Sequence, residues 1–308
     1  MKDIINYYYN LNVESVEDWD TLFCFTWHQN KYYFVPIKRT EREIMDIIEV
    51  SRELKLRKID CHDLILNKFG KLITNVYETN YVLLKPIGDI YEEYDIIDMI
   101  KINNNLILSP YKSHLYRNSW AQLWSDKIDY FEYQIHELGK NHDIILDSFS
   151  YYIGLGENAI SYVNNTHKKY RQTSIDRICL SHRRIKYPNY KLNYLNPLSF
   201  IFDLEIRDIA EYIKNAFFAE ADALSYLKEV LKISRFSIYS LELLYARLLY
   251  PSYYFDVYES IMNDAETDEK LIPIIDKADE YEYFLKDAYF EINKYAPIEG
   301  IAWILDKK

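Results

Sequence analysis

Glycine is scarce in this chain, with six in 308 residues. A loop that wraps phosphate in backbone amides needs residues that accept left-handed φ and close approach, so a glycine-rich nucleotide loop has little material to be built from. Cysteine is equally sparse: Cys24, Cys61 and Cys179 are odd in number and far apart, with no CxxC or Cys/His metal spacing. That argues against a disulfide framework and a zinc site. No apolar run approaches membrane-span length, and the opening Met1–Asn6 lacks the core of a signal peptide. The expectation is synthesis in the cytoplasm and no membrane span. Long basic blocks are missing too. The formal net charge is −11, spread along the chain, which argues against nucleic-acid binding. The one short basic run, His167-Lys168-Lys169-Tyr170-Arg171, reads as a solvated loop or helix end.

What is present is an ordinary apolar fraction for a folded protein, large enough for one big or two modest domains. The first part is β-rich. Leu22–Trp27 and Tyr32–Ile37 flank the polar turn His28–Lys31 as a hairpin, with Pro36 marking an edge or strand end. A helix is expected over Glu41–Leu56, with Ile44, Ile47, Ile48, Ser51 and Leu54 on one face. A second hairpin is expected from Asp63–Leu66 and Leu72–Tyr77 around Lys68–Lys71, followed by a strand over Tyr81–Pro86. From there the pattern turns helical: Trp120–Lys140, a helix opened by Gly154-Leu155-Gly156, Arg207–Phe218, Ser237–Tyr250 with Ser237 as cap, Tyr253–Asn263 and Ala278–Tyr295. Two strands, a helix and three strands is the order of a kinase amino-terminal lobe. The expected fold is therefore α+β: a small β-rich lobe over residues 1–86, a hinge at Pro86-Ile87-Gly88, and a mainly helical lobe over 87–308.

A kinase-like phosphotransferase needs few protein groups: an aspartate that accepts the substrate proton, an asparagine and a second aspartate for magnesium, and a lysine for the nucleotide phosphates. The frame H-x-D-x-x-x-x-N is met by His182-Arg183-Arg184-Ile185-Lys186-Tyr187-Pro188-Asn189, with Arg184 on the aspartate position. Phe200-Ile201-Phe202-Asp203 follows as a strand ending in the metal aspartate, and Asp208 stands where a carboxylate supports the loop. Asn189 and Asp203 are the candidate metal ligands. A guanidinium stays protonated and only donates, so Arg184 cannot act as the base. It could bind a phosphate, or pair with Asp203 or Asp208. Lys38 is the candidate nucleotide lysine, with Glu43 or Glu49 as its helix partner; a plain surface lysine is the competing reading.

The segment Ser150-Tyr151-Tyr152-Ile153-Gly154-Leu155-Gly156-Glu157-Asn158-Ala159-Ile160 resembles the F-P-Y-Y-L-G-L-x-E-N-A-I stretch of the endospore coat-associated YutH-type proteins. These are CotS-related members of the aminoglycoside phosphotransferase, or kinase-like, superfamily. Cys179–Arg184, Asp203–Ile213, Leu248–Phe255 and Ile301–Ile304 are similar to that family in the same order. The resemblance implies a two-lobed kinase-like fold of the aminoglycoside phosphotransferase type. It also implies a role at the spore coat with protein partners, and a degenerate catalytic loop at His182 and Arg184. A pseudokinase acting by binding is the reading these residues favour. The alternative is an active ATP-dependent phosphotransferase with an atypical loop, for which Mg-ATP would be the cofactor. Oligomeric state is not written in the sequence.

Overall fold

The structure is a computed structural model of the chain that describes residues 1–19, 22–105, 113–117, 119–138 and 142–307. It divides into two compact units. The first comprises Met1–Tyr94, Ser109–Leu115 and Asn189–Phe200; the second comprises Asp95–Leu108, Tyr116–Pro188 and Ile201–Lys308.

The first unit is built on an antiparallel sheet. Its strands are β1 (Glu17–Trp19), β2 (Leu22–Trp27), β3 (Asn30–Pro36), β4 (Asp63–Ile65), β5 (Thr74–Val76) and β6 (Thr79–Lys85), in the order β1-β2-β3-β6-β4 with β5 also on β6. Alternation sends successive residues to opposite faces. Phe25, Tyr32, Phe34 and Leu83 pack on one face with Ile5 and Tyr9 of helix α1 (Lys2–Tyr9). Cys24, Tyr33 and Leu84 form the opposite cluster. Helix α2 (Glu41–Leu56) spans the predicted residues and starts on a reciprocal cap between Thr40 and Glu43.

The hairpins differ in part from expectation. The β2–β3 turn is only His28-Gln29, both left-handed, with Trp27 opposite Asn30. The expected pairing of the Asp63 and Leu72 strands does not form. β4 and β5 each pair with β6, and β5–β6 is closed by another left-handed pair, Tyr77-Glu78. Such turns usually carry Asn-Gly; His-Gln and Tyr-Glu give no such signal.

The second unit is helical around a small two-stranded sheet of β7 (Ile178–His182) and β8 (Phe200–Leu204). Its helices are α3 (Ile96–Asn105), α4 (Trp120–Leu138), α5 (Asp143–Lys169), α7 (Ile206–Phe218), α8 (Ala223–Ile233), α9 (Ile238–Leu249), α10 (Ser252–Met262), α11 (Ile272–Asp276), α12 (Ala278–Asn293) and α13 (Ala302–Leu305); the short α6 (Lys191–Tyr194) belongs to the first unit. α5 packs on α4 and α9, and α7 on α8 and α9. Gly154 and Gly156 do not open α5 but lie in its middle. A Cβ on Gly156 would stand 2.8 Å from Ile128 Cδ1 and 3.5 Å from a Phe255 ring atom, so this glycine marks a close approach of α4 and α10. The basic run closes α5, at a helix end as expected. The last two residues of the helix expected over Trp120–Lys140, Gly139 and Lys140, lie outside the described residues. Among the described residues no helix is long and apolar enough to cross a membrane.

Candidate functional site

β7 ends at His182, which is 2% exposed. Its Nδ1 lies 2.7 Å from Asp208 Oδ2, and its backbone N–H donates to Asp208 Oδ1 at 3.2 Å. Asp208 sits in the first turn of α7, directly after β8, so the strand-to-helix junction positions the carboxylate under the loop that follows β7. Arg184 lies on that loop with its side chain about half exposed. Its partner is neither Asp203 nor Asp208 but Asp256 of α10, at 2.5 Å.

Asp203 is fully buried at the end of β8. Both carboxylate oxygens are occupied. Oδ1 accepts from the Leu204 amide at 2.8 Å and from the Trp120 indole at 3.1 Å; Oδ2 accepts from the same indole at 3.0 Å and from Arg207 Nη1 at 2.9 Å. Burial raises the Asp203 carboxyl above its ordinary value, against the pull of Arg207 and Arg247. A magnesium ion demands octahedral oxygen ligands with room for water. A fully buried aspartate with a guanidinium already in contact leaves no room for those waters.

Asn189 lies in the first unit. Its backbone carbonyl accepts from Tyr94 N at 2.7 Å. Its side chain is 1% exposed, and neither amide atom has a hydrogen-bond partner among the described residues. Buried amides are normally paired, so this is a group short of a polar partner. Lys38 is exposed, beyond the end of β3. The Glu43 contact considered for it is made by Arg39, whose Nη1 is 3.2 Å from Glu43 Oε1 and whose other nitrogens hold the Leu198 and Phe200 carbonyls. Glu49 is exposed. The two-residue turn at His28-Gln29 contains no glycine and no loop that could cover a phosphate.

Behind the junction lies a buried charge network that sequence reading missed. Glu211 of α7 takes Lys214 Nζ and Arg247 Nε at 2.9 Å each, and Ser252 Oγ at 2.9 Å. Glu211 is held well below the usual carboxylate range, its burial outweighed by Lys214 and Arg247. Burial draws Lys214 down to about 8. The available signal was in α9, where Glu242 and Arg247 interrupt a helix whose residues from Tyr239 to Leu249 are all buried. Charges rarely enter such a helix without partners.

The architecture, an antiparallel sheet unit and a helical unit with the His182 loop between two short strands, defines a kinase-like α+β protein of the aminoglycoside phosphotransferase type. Two solved structures carry that comparison. One is spectinomycin phosphotransferase in complex with ADP and spectinomycin (14% identity, 94% of this chain and 97% of that chain, TM-score 0.59). The other is an aminoglycoside phosphotransferase from Alicyclobacillus acidocaldarius subsp. acidocaldarius (9% identity, 93% and 94%, TM-score 0.55). Within that class, residues 2–288 match the family described as "Spore coat putative kinase YutH", and the chain belongs to it. It is 25% identical to the endospore coat-associated protein YutH of Bacillus subtilis (strain 168), over 99% of this chain and 98% of that protein.

Proposed function

We propose that this protein is a pseudokinase of the spore coat: made in the cytoplasm, taken up into the coat, and acting there by binding other proteins rather than by transferring phosphate. The observation that carries this reading is Asp203, whose carboxylate is spent on Trp120 and Arg207. Arg184 in the place of the base, already paired with Asp256, supports it. Family membership supports the coat role.

Thermal melting with saturating Mg-ATP tests the reading. The expected result is an unchanged Tm and no transfer of labelled γ-phosphate to coat proteins. A magnesium-dependent rise in Tm, with transfer that disappears in Asp203→Ala, would overturn it. A fluorescent fusion followed through sporulation checks the location; signal spread through the cytoplasm with none at the spore surface would sink the coat assignment.

One observation favours an active phosphotransferase instead. Asn189 holds a buried amide with no partner among the described residues, as a group awaiting a ligand would. On that reading Mg-ATP raises Tm and Asn189→Ala abolishes the rise.

A further inference from the structure

The second unit carries an open cleft of about 280 Å³ between the His182 loop, α4, α7 and α9. Its wall is cationic in a chain of net charge −11: Arg117, Lys127, Arg183, Arg184, Arg207 and Arg247 line it, against the single carboxylate of Asp256. Of the other six lining residues, three are aromatic: Trp120, Trp124 and Tyr250. Trp124 stacks on Tyr250 with ring centroids 4.1 Å apart, and the Arg247 guanidinium lies 4.6 Å from the Trp120 ring.

The carboxylates nearby are already committed. Asp203 and Asp208 face Arg207, Glu211 holds Arg247 and Lys214, Glu259 holds Lys127, and Asp256 holds Arg184. Two of these arginines, Arg207 and Arg247, are themselves buried. Arg207 is 7% exposed, and its Nε makes no hydrogen bond but faces Asp208 Oδ1 at 3.8 Å. Arg247 is 6% exposed. It donates through Nε to Glu211, and its terminal nitrogens make no hydrogen bond to a described residue. Burial first, and then the neighbouring charge of Arg207, lower the Arg247 pKa. Two buried guanidinium groups that repel each other are stabilised by an anion between them, and guanidinium forks match tetrahedral oxyanions.

We infer that this cleft binds the phosphoryl group of a small phosphomonoester, with the arginines on its oxygens and Trp120, Trp124 and Tyr250 against the organic part. The inference supplies a ligand for a protein read above as a binder, and rests on that reading only for the claim that phosphate is held and not transferred.

Titration of phenyl phosphate into the full chain in EDTA, followed by calorimetry and tryptophan fluorescence, tests it. Binding is expected to saturate, to quench fluorescence and to weaken with salt. Inorganic phosphate and benzoate should bind more weakly, because each lacks one half of the match. Arg183 is exposed and Arg117 half-buried, so the variant carrying Arg117→Ser and Arg183→Ser should fold and lose about tenfold or more in affinity. Arg247→Met should lose binding too, with folding checked by circular dichroism. No saturable signal at concentrations that fill a millimolar site overturns the proposal. So does binding unchanged in the double variant, or benzoate binding as tightly as phenyl phosphate. The assay contains neither metal nor nucleotide. A positive Mg-ATP result therefore sinks the pseudokinase reading while leaving the pocket, and a negative phenyl phosphate result sinks the pocket alone.

Discussion

Arg184 and Asp203 differ in what their partners are worth. The Arg184–Asp256 pair is partly solvated on both sides, and exposed pairs contribute only about 0–1 kcal/mol. Asp203 has no solvent to return to, and its indole and guanidinium donors hold it in the fold. Substituting Arg184→Asp would recreate the carboxylate of the frame H-x-D but leave Asp203 closed by Arg207. The expected outcome is no γ-phosphate transfer from labelled ATP and a stability loss of about 1 kcal/mol in urea denaturation, from the lost pair and the new repulsion with Asp256. Measurable transfer by this single variant would mean that Arg184 alone was withholding catalysis, contrary to the role given to Asp203.

At the scale of elements, α2 and α9 were legible because apolar period and capping residue agree: Thr40 with Glu43, and Ser237, whose hydroxyl oxygen accepts from Ser240 N. The start of α5 was not. Two glycines in three residues read as a helix opening, whereas tertiary packing carries the helix through them. α1, α3 and α8 were missed. In α1 and α3 the tyrosines, asparagines and β-branched residues are weak helix formers that packing stabilises; α8 has good helix formers and an Asp222 cap, so its signal was present in the sequence. The loop residues His182, Asn189, Asp203 and Asp208 were legible only through order and spacing, and the His182–Asp208 contact fits that frame. Arg247 was illegible because its helix was read by one apolar stripe, although every face of it is buried.

The α5 glycines give a paired test. Gly154 has open space where a Cβ would go, so Gly154→Ala should stabilise by about 0.5–1 kcal/mol, the usual gain in a helix interior. Gly156→Ala must displace Ile128 Cδ1, and the gain should vanish or reverse. Urea midpoints of the two variants distinguish the cases; equal stabilisation would show that α4 yields freely at this contact.

For the whole molecule, acidity acts in two opposed ways. The chain carries −11 at neutral pH with an isoelectric point near 5.2, so acidification first relieves self-repulsion, a long-range effect that salt screens. Against it stands His62, fully buried in the first unit. Its backbone N–H donates to Leu195 O at 3.0 Å, Nδ1 accepts from Ile87 N at 3.2 Å, and Nε2 lies 3.2 Å from Leu192 O. That arrangement suits a neutral ring donating from Nε2. Burial lowers its pKa from 6.5 to about 4. Between those values the unfolded chain binds a proton that the folded chain refuses. The neutral ring therefore imposes no penalty above pH 6.5, and stability falls as pH drops from 6.5 towards 4, by up to about 3 kcal/mol. At physiological ionic strength salt screens the long-range repulsion but not the buried ring, so Tm is expected to decline through that window and not to rise towards the isoelectric point. His62→Gln keeps a donor and an acceptor but cannot titrate. It should start lower in Tm and show a flatter profile, measured by dilute circular dichroism melts. An unchanged slope in the variant would move the acid sensitivity elsewhere in the chain.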